Sequence, residues 1–285
     1  MTEFPDKVLS VPDRIEFANE PIRYDPVGRC IYCGEREPPL DEEHIVPYGL
    51  AKNSLILPRA SCRRCGAITG KFEQDCLRGM MGPLRTRLQA PTRKKKDRKP
   101  SFPINRIRFE TLAPGETATS LEPVQMESSD YPLMYVGLLL DKPGLLMGLP
   151  VGTPLMWNWF HTYKKDEVQP FLENPGDGVR IGSINPGSFA RMLAKMAYSY
   201  AVAVRGMGSF RPLILDLIFG KTDGFRSWVG GDPVVPEANE DEIHSVRCRN
   251  WTAAGKEYVV VSIRLFGFLG TPIYHVVVGE LWLAP

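Results

Sequence analysis

The sequence predicts a mixed α+β fold, with a small N-terminal unit followed by a larger α+β domain. Three observations predict it. Two Cys-x-x-Cys pairs, Cys30/Cys33 and Cys62/Cys65, bracket a short segment. Apolar residues recur at helical spacing between Phe189 and Val204, and runs of β-branched and aromatic residues alternate with Pro and Gly through much of the rest. With 43% hydrophobic and 24% charged residues among 285, the chain can bury a core and has a length suited to one or two domains. A formal net charge of +2 excludes a uniformly basic, histone-like surface and leaves room for a local basic patch.

In chain order, residues 1–28 are Pro-rich and charged, with isolated apolar residues such as Ile15 and Phe17, and are expected to form an arm lying against the fold. Residues 29–90 hold both cysteine pairs and a stretch from Ser61 to Arg78 that suits a helix with Ile68, Phe72 and Cys76 on one side. The run Arg93-Lys94-Lys95-Lys96-Asp97-Arg98-Lys99-Pro100 marks a basic linker over 91–100 and a domain break. Within 101–285, Ile104 to Leu112, Leu133 to Leu140 and Thr153 to Phe160 read as strands. Asn185-Pro186 offers an N-cap and a first helical residue, and Phe189, Met192, Leu193, Met196, Ala197, Tyr200, Ala201 and Val204 carry the helix to Gly206. Pro212 opens a shorter helix through Phe219; Ile243 to Trp251, Glu257 to Phe266 and Ile273 to Leu283 then read as three successive strands. Met1 to Ser10 has no apolar run of the secretory kind, and the most apolar region, Tyr131 to Pro150, is broken by Asp141, Lys142 and Pro143. A cytoplasmic protein with no membrane partner is expected.

The cysteine spacing offers two chelating knuckles, and four thiolates around Zn2+ make a closed, structural site with no position for substrate. Cys76 and Cys248 fall outside this set. Between the knuckles lies Leu40-Asp41-Glu42-Glu43-His44-Ile45-Val46-Pro47, then the apolar Ser54-Leu55-Ile56-Leu57. A knuckle, an acidic-His-Ile-Val-Pro step, an apolar segment and a second knuckle opening a helix together resemble the HNH endonuclease family, over about residues 29–78.

That resemblance implies a ββα-metal fold, hydrolysis of phosphodiester bonds in DNA, and a catalytic Mg2+ or Mn2+ beside the structural Zn2+. It implies that His44 is the general base that activates water, a role an imidazole with a pKa near 6.5 suits at neutral pH. It implies Glu43 as the acidic metal ligand. Successive strand residues face opposite ways, so on sequence alone a register with Glu42 inward stays open. The family's central Asn falls on Asn53 or is replaced by Ser54. Its last metal-binding position falls on Gly66, which has no side chain. Positions 66, 70, 73 and 77 share a helix face, so Glu73 can supply the missing ligand.

Charge is uneven: residues 44–99 carry fourteen Lys and Arg against three acids, whereas 101–285 carry sixteen against nineteen. Arg59, Arg63, Arg64 and Lys71, with Lys94, Lys95 and Lys96 after them, are the candidates for phosphate contact, which gives salt-sensitive binding with little sequence preference. His161, His244 and His275 stand apart from Cys and paired acids and read as structural. The expected function is that of an HNH-type DNA endonuclease. Two other readings are an inactive HNH scaffold that binds nucleic acid, and a nuclease active only in a partner- or signal-bound defence complex formed through the C-terminal domain.

Overall fold

The N-terminal unit is built on one hairpin and one helix. The computed structural model describes residues 7–10 (backbone only), 21–37, 39–51, 55–92, 98–109, 119–180, 182 and 184–282. Strand β1 (Lys7–Ser10) and strand β2 (Ile22–Arg23) belong to the predicted arm: β2 runs parallel to β4 (Leu55–Cys62), which pairs antiparallel with β3 (Leu40–His44). The short helix α1 (Tyr48–Ala51) lies between β3 and β4. Helix α2 (Arg63–Arg78) follows β4 at once, buries Cys65, Thr69, Phe72 and Cys76, and leaves Ile68 half-buried. Its N-cap is Cys62, whose sulfur accepts from the Cys65 amide at 3.5 Å. In α3 (Gly82–Arg87), the Arg85 guanidinium donates to the carbonyls of Gly49, Leu77 and Pro91 at 2.6, 2.8 and 3.0 Å. A Cβ at Gly49 would lie 2.5 Å from Arg85 Nη2, so only glycine admits this approach.

A middle layer uses β5 (Ser101–Arg108) twice. Its first half pairs with β7 (Val124–Glu127), its second with β6 (Thr119–Ser120) and β10 (Asp177–Arg180). Strand β8 (Met134–Leu139) pairs with β9 (Asn158–Tyr163), and α4 (Lys165–Val168) follows. The strand expected over 153–160 thus begins later. Thr153 Oγ1 donates to the Pro150 carbonyl at 2.7 Å in a turn, and Pro154 has no amide hydrogen for a ladder, so pairing starts beyond them.

Helix α5 (Pro186–Arg205) is the centre of the larger part. Asn185 Oδ1 accepts from the Ser188 amide at 3.0 Å, with Pro186 as the first helical residue, as the sequence predicts. Asn185→Ala is expected to cost about 1 kcal/mol, readable as a lower midpoint in urea at unchanged slope. After α5 come β11 (Phe210–Pro212), α6 (Leu215–Ile218), β12 (Val229–Gly231), β13 (Glu242–Ala253), β14 (Lys256–Leu265) and β15 (Ile273–Leu281). Pro212 closes a strand rather than opening a helix: it sits opposite Gly279 as the last residue of a sheet-edge strand, where a missing amide hydrogen is tolerated. The main sheet runs β1-β13-β14-β15-β11 with β12 also on β15, all antiparallel.

Helix α5 lies against this sheet and also packs on α2. One apolar core contains Leu55 and Phe72 of the N-terminal unit together with Tyr200 and Val259 of the larger part, so it runs across the break expected at 91–100. Residues 93–97 of that linker lie outside the described residues. The fold is α+β, and no helix among the described residues is long and apolar enough to cross a membrane.

Candidate metal centre and the site beside it

The ligand atoms of Cys30, Cys33, Cys62 and Cys65 lie within 4.8 Å of one another. Cys33 Sγ and Cys62 Sγ are 3.7 Å apart, close to the roughly 3.8 Å edge of a tetrahedron with metal–sulfur bonds of about 2.3 Å. The set therefore fits a metal ion. Two turns deliver it: the first knuckle is a loop closed by the Gly34 amide on the Cys30 carbonyl, and the second straddles the start of α2. Burial pushes the Cys30 and Cys65 thiols up. Burial acts upward on Cys33 as well, but the Glu35 amide and the other thiols bring it down to about 7, which favours a thiolate ligand.

Beside this cluster, the hairpin and α2 bring the carboxylates of Glu43 and Glu73 to one point, with the main-chain carbonyl of His44 beside them. The β3–β4 register shifts between Asp41 and Glu43, where Ser61 and then Leu57 are the partners. Glu43 is buried, whereas Glu42 is exposed and pairs with Arg23 at 2.7 Å. His44 follows at the end of β3, half-buried, with its ring edge-on to Tyr48 at a centroid distance of 5.9 Å. Glu73 reaches the same place from α2, two turns beyond Gly66.

The point where these acids meet is the ammonium of Lys195. Its Nζ lies 2.5 Å from Glu43 Oε1 and 2.8 Å from Glu73 Oε1, and it donates to the His44 carbonyl. Side-chain exposures of 2%, 6% and 19% for Lys195, Glu43 and Glu73 remove most of the solvent screening that makes surface pairs weak. Burial works against the charged lysine, but the two carboxylates outweigh it and hold Lys195 above its usual range. Burial raises Glu43, against the pull of Lys195. Tyr32, wholly buried, is kept protonated by its burial and by these carboxylates.

A catalytic Mg2+ or Mn2+ does not fit at this point. Such an ion would need the same carboxylate oxygens at about 2.1 Å. Those oxygens already hold the ammonium at 2.5 and 2.8 Å, so the ion would compete with Lys195 for one position between them, and two cations cannot share it.

Asn53, Ser54, Lys94, Lys95 and Lys96 lie outside the described residues. Arg59, Arg63, Arg64 and Lys71 are all exposed. Arg64 also lies against the cysteine cluster, where Cys33, then Cys65 and Cys62, hold its guanidinium above the usual range. Not all of the local positive charge faces outward: Arg85 is half-buried and spent on three carbonyls, while exposed Arg98 also donates to those of Gln89 and Ala90. His244 is fully buried. His275 is less isolated than its sequence neighbours suggest, since it bridges Ser262 Oγ and Asp232 Oδ2, each at 2.9 Å.

Lys195 is the residue that sequence reasoning missed. A signal was present, because it is a lysine inside an apolar helix, and every residue of α5 from Met192 to Val202 is buried. A buried lysine requires an acidic partner. Scans against protein-family models, curated proteins and solved structures find no match for the chain, so the likeness to HNH nucleases rests on the residues and geometry given above.

Proposed function

We propose that the chain is an HNH-type endonuclease that hydrolyses phosphodiester bonds in DNA, on a scaffold held by Zn2+ at Cys30, Cys33, Cys62 and Cys65. The observation that carries this reading is a four-sulfur cluster on the same β3–β4 hairpin and α2 that bring Glu43 and Glu73 to one point, with His44 next to Glu43 in β3. His44, half-buried at a strand end, takes the proton of the attacking water. Exposed Arg59, Arg63 and Lys71 supply positive charge for the phosphate backbone. The resemblance adds Mg2+ or Mn2+ at Glu43 and Glu73; because that ion does not fit beside Lys195, no step is assigned to it.

The test is nicking of supercoiled plasmid by the purified chain in Mg2+, Mn2+ or EDTA. His44→Ala is expected to lower the rate by about 10²-fold or more at unchanged zinc content. Undiminished nicking by that variant would remove His44 from the chemistry.

One observation favours a second reading, a nucleic-acid-binding protein on the same scaffold without cleavage: the ammonium of Lys195 already sits between the two carboxylates. Absence of nicking under every condition, with DNA binding that falls steeply with salt, selects it.

A further inference from the structure

The larger part of the chain enters the site through one stripe of α5. Arg191, Lys195 and Tyr198 are spaced four and three residues apart, so they share a helix face. All three engage the N-terminal unit. The Arg191 guanidinium stacks over the Phe72 ring of α2 at 4.8 Å, Lys195 meets Glu43 and Glu73, and Tyr198 Oη donates to the Ile31 carbonyl inside the first knuckle at 2.8 Å. The lysine is thus not a surface side chain that happens to reach an acid. It belongs to a docking seam, and its own carbonyl accepts from Ser199 Oγ within the buried helix.

We infer that Lys195 is the resident cation of this site: its ammonium takes the position between Glu43 and Glu73 that a divalent ion would hold, and keeps such an ion out. Two carboxylates and a main-chain carbonyl form an all-oxygen donor set of the kind hard cations use. Here the cation is covalently part of the chain, supplied by a helix some 150 positions away. Selectivity follows from charge and space. With the ammonium present the oxygens are neutralised and the volume is filled; with it removed, buried Glu43 and half-buried Glu73 face each other and require a cation or a proton.

The inference concerns which cation the carboxylates hold, and it goes beyond the nuclease reading. The experiment is Mn2+ binding by calorimetry and electron paramagnetic resonance on the zinc-loaded full chain, compared among wild type, Glu73→Gln, Lys195→Ala and Lys195→Ala/Glu73→Gln. Wild type and Glu73→Gln are expected to bind Mn2+ equally weakly. Lys195→Ala is expected to gain one site at least about tenfold tighter, to show a melting temperature that rises with Mn2+ concentration, and to lose both with the added Glu73→Gln. A wild-type Mn2+ site that Glu73→Gln abolishes would overturn the inference, and so would a folded Lys195→Ala that gains none. Should Lys195→Ala fail to fold, the wild-type and Glu73→Gln pair still decides. Failure of wild type to nick DNA would remove the nuclease reading and leave this one standing, because the readout is ion binding.

Discussion

Cys62→Ser is expected to release the metal and unfold the β3–β4–α2 unit. Serine caps a helix as well as any residue, so the variant keeps an acceptor for the Cys65 amide and the register opposite Leu40. What it loses is one of four thiolates in a closed site. In zinc-finger peptides the ion contributes about 10 to 16 kcal/mol at neutral pH, comparable to the entire stability of a typical domain, about 5 to 15 kcal/mol. Within the hairpin itself β3 is only five residues long, and what remains without the metal is the packing of β4 and α2 on the shared core and the docking to α5. The expected result is about one zinc per chain in wild type and little in Cys62→Ser, with amide protection lost across Leu55–Cys62 and Arg63–Arg78. Cys248→Ser is the control. Cys248 lies on β13, where it accepts from Arg205 Nε at 3.2 Å, and its variant should keep its zinc. A Cys62→Ser protein with wild-type melting would show that the four sulfurs do not hold the unit together.

The features legible in the sequence are those that neighbouring residues determine. Asn185-Pro186 and the apolar period after it specify α5 because capping and helical facing are settled within a few residues. The knuckles are legible for the same reason, since two residues between cysteines is a local constraint. Glu43 against Glu42 was open because which of two successive strand residues faces inward is determined by packing against the rest of the fold, not by the local sequence. The cation between Glu43 and Glu73 needed a contact across some 150 residues, and no local pattern encodes which acid a buried lysine will meet. Formal charge misled in a similar way. Arg85 and Arg98 count toward the positive excess of 44–99, yet each is committed to backbone carbonyls, where burial and Arg98 bring the Arg85 guanidinium down to about 10.

Acidification is expected to loosen the same two-part assembly through His244. Its Nε2 lies 3.3 Å from the Leu50 carbonyl of α1 and its Nδ1 accepts from the Phe266 amide at 3.2 Å, so both nitrogens are used by the neutral ring with the proton on Nε2. A second proton would meet an amide hydrogen at Nδ1. Burial brings His244 from 6.5 down to about 4, against the raising effect of the backbone of Leu50 and Ile243. The folded pKa lies below the unfolded one, so the unfolded chain binds more protons in between. Stability is therefore full above about pH 6.5 and falls as pH drops toward 4, by about 3 kcal/mol from this group. His275 is also lowered by burial and adds a loss of the same sign, so the decisive quantity is the difference between wild type and His244→Gln. The variant is expected to be less stable at pH 7, where it sacrifices packing against Phe266, yet to lose about 3 kcal/mol less than wild type between pH 6.5 and 4 in urea denaturation. Parallel curves for the two proteins would mean that His244 titrates normally and does not fasten α1 to the sheet.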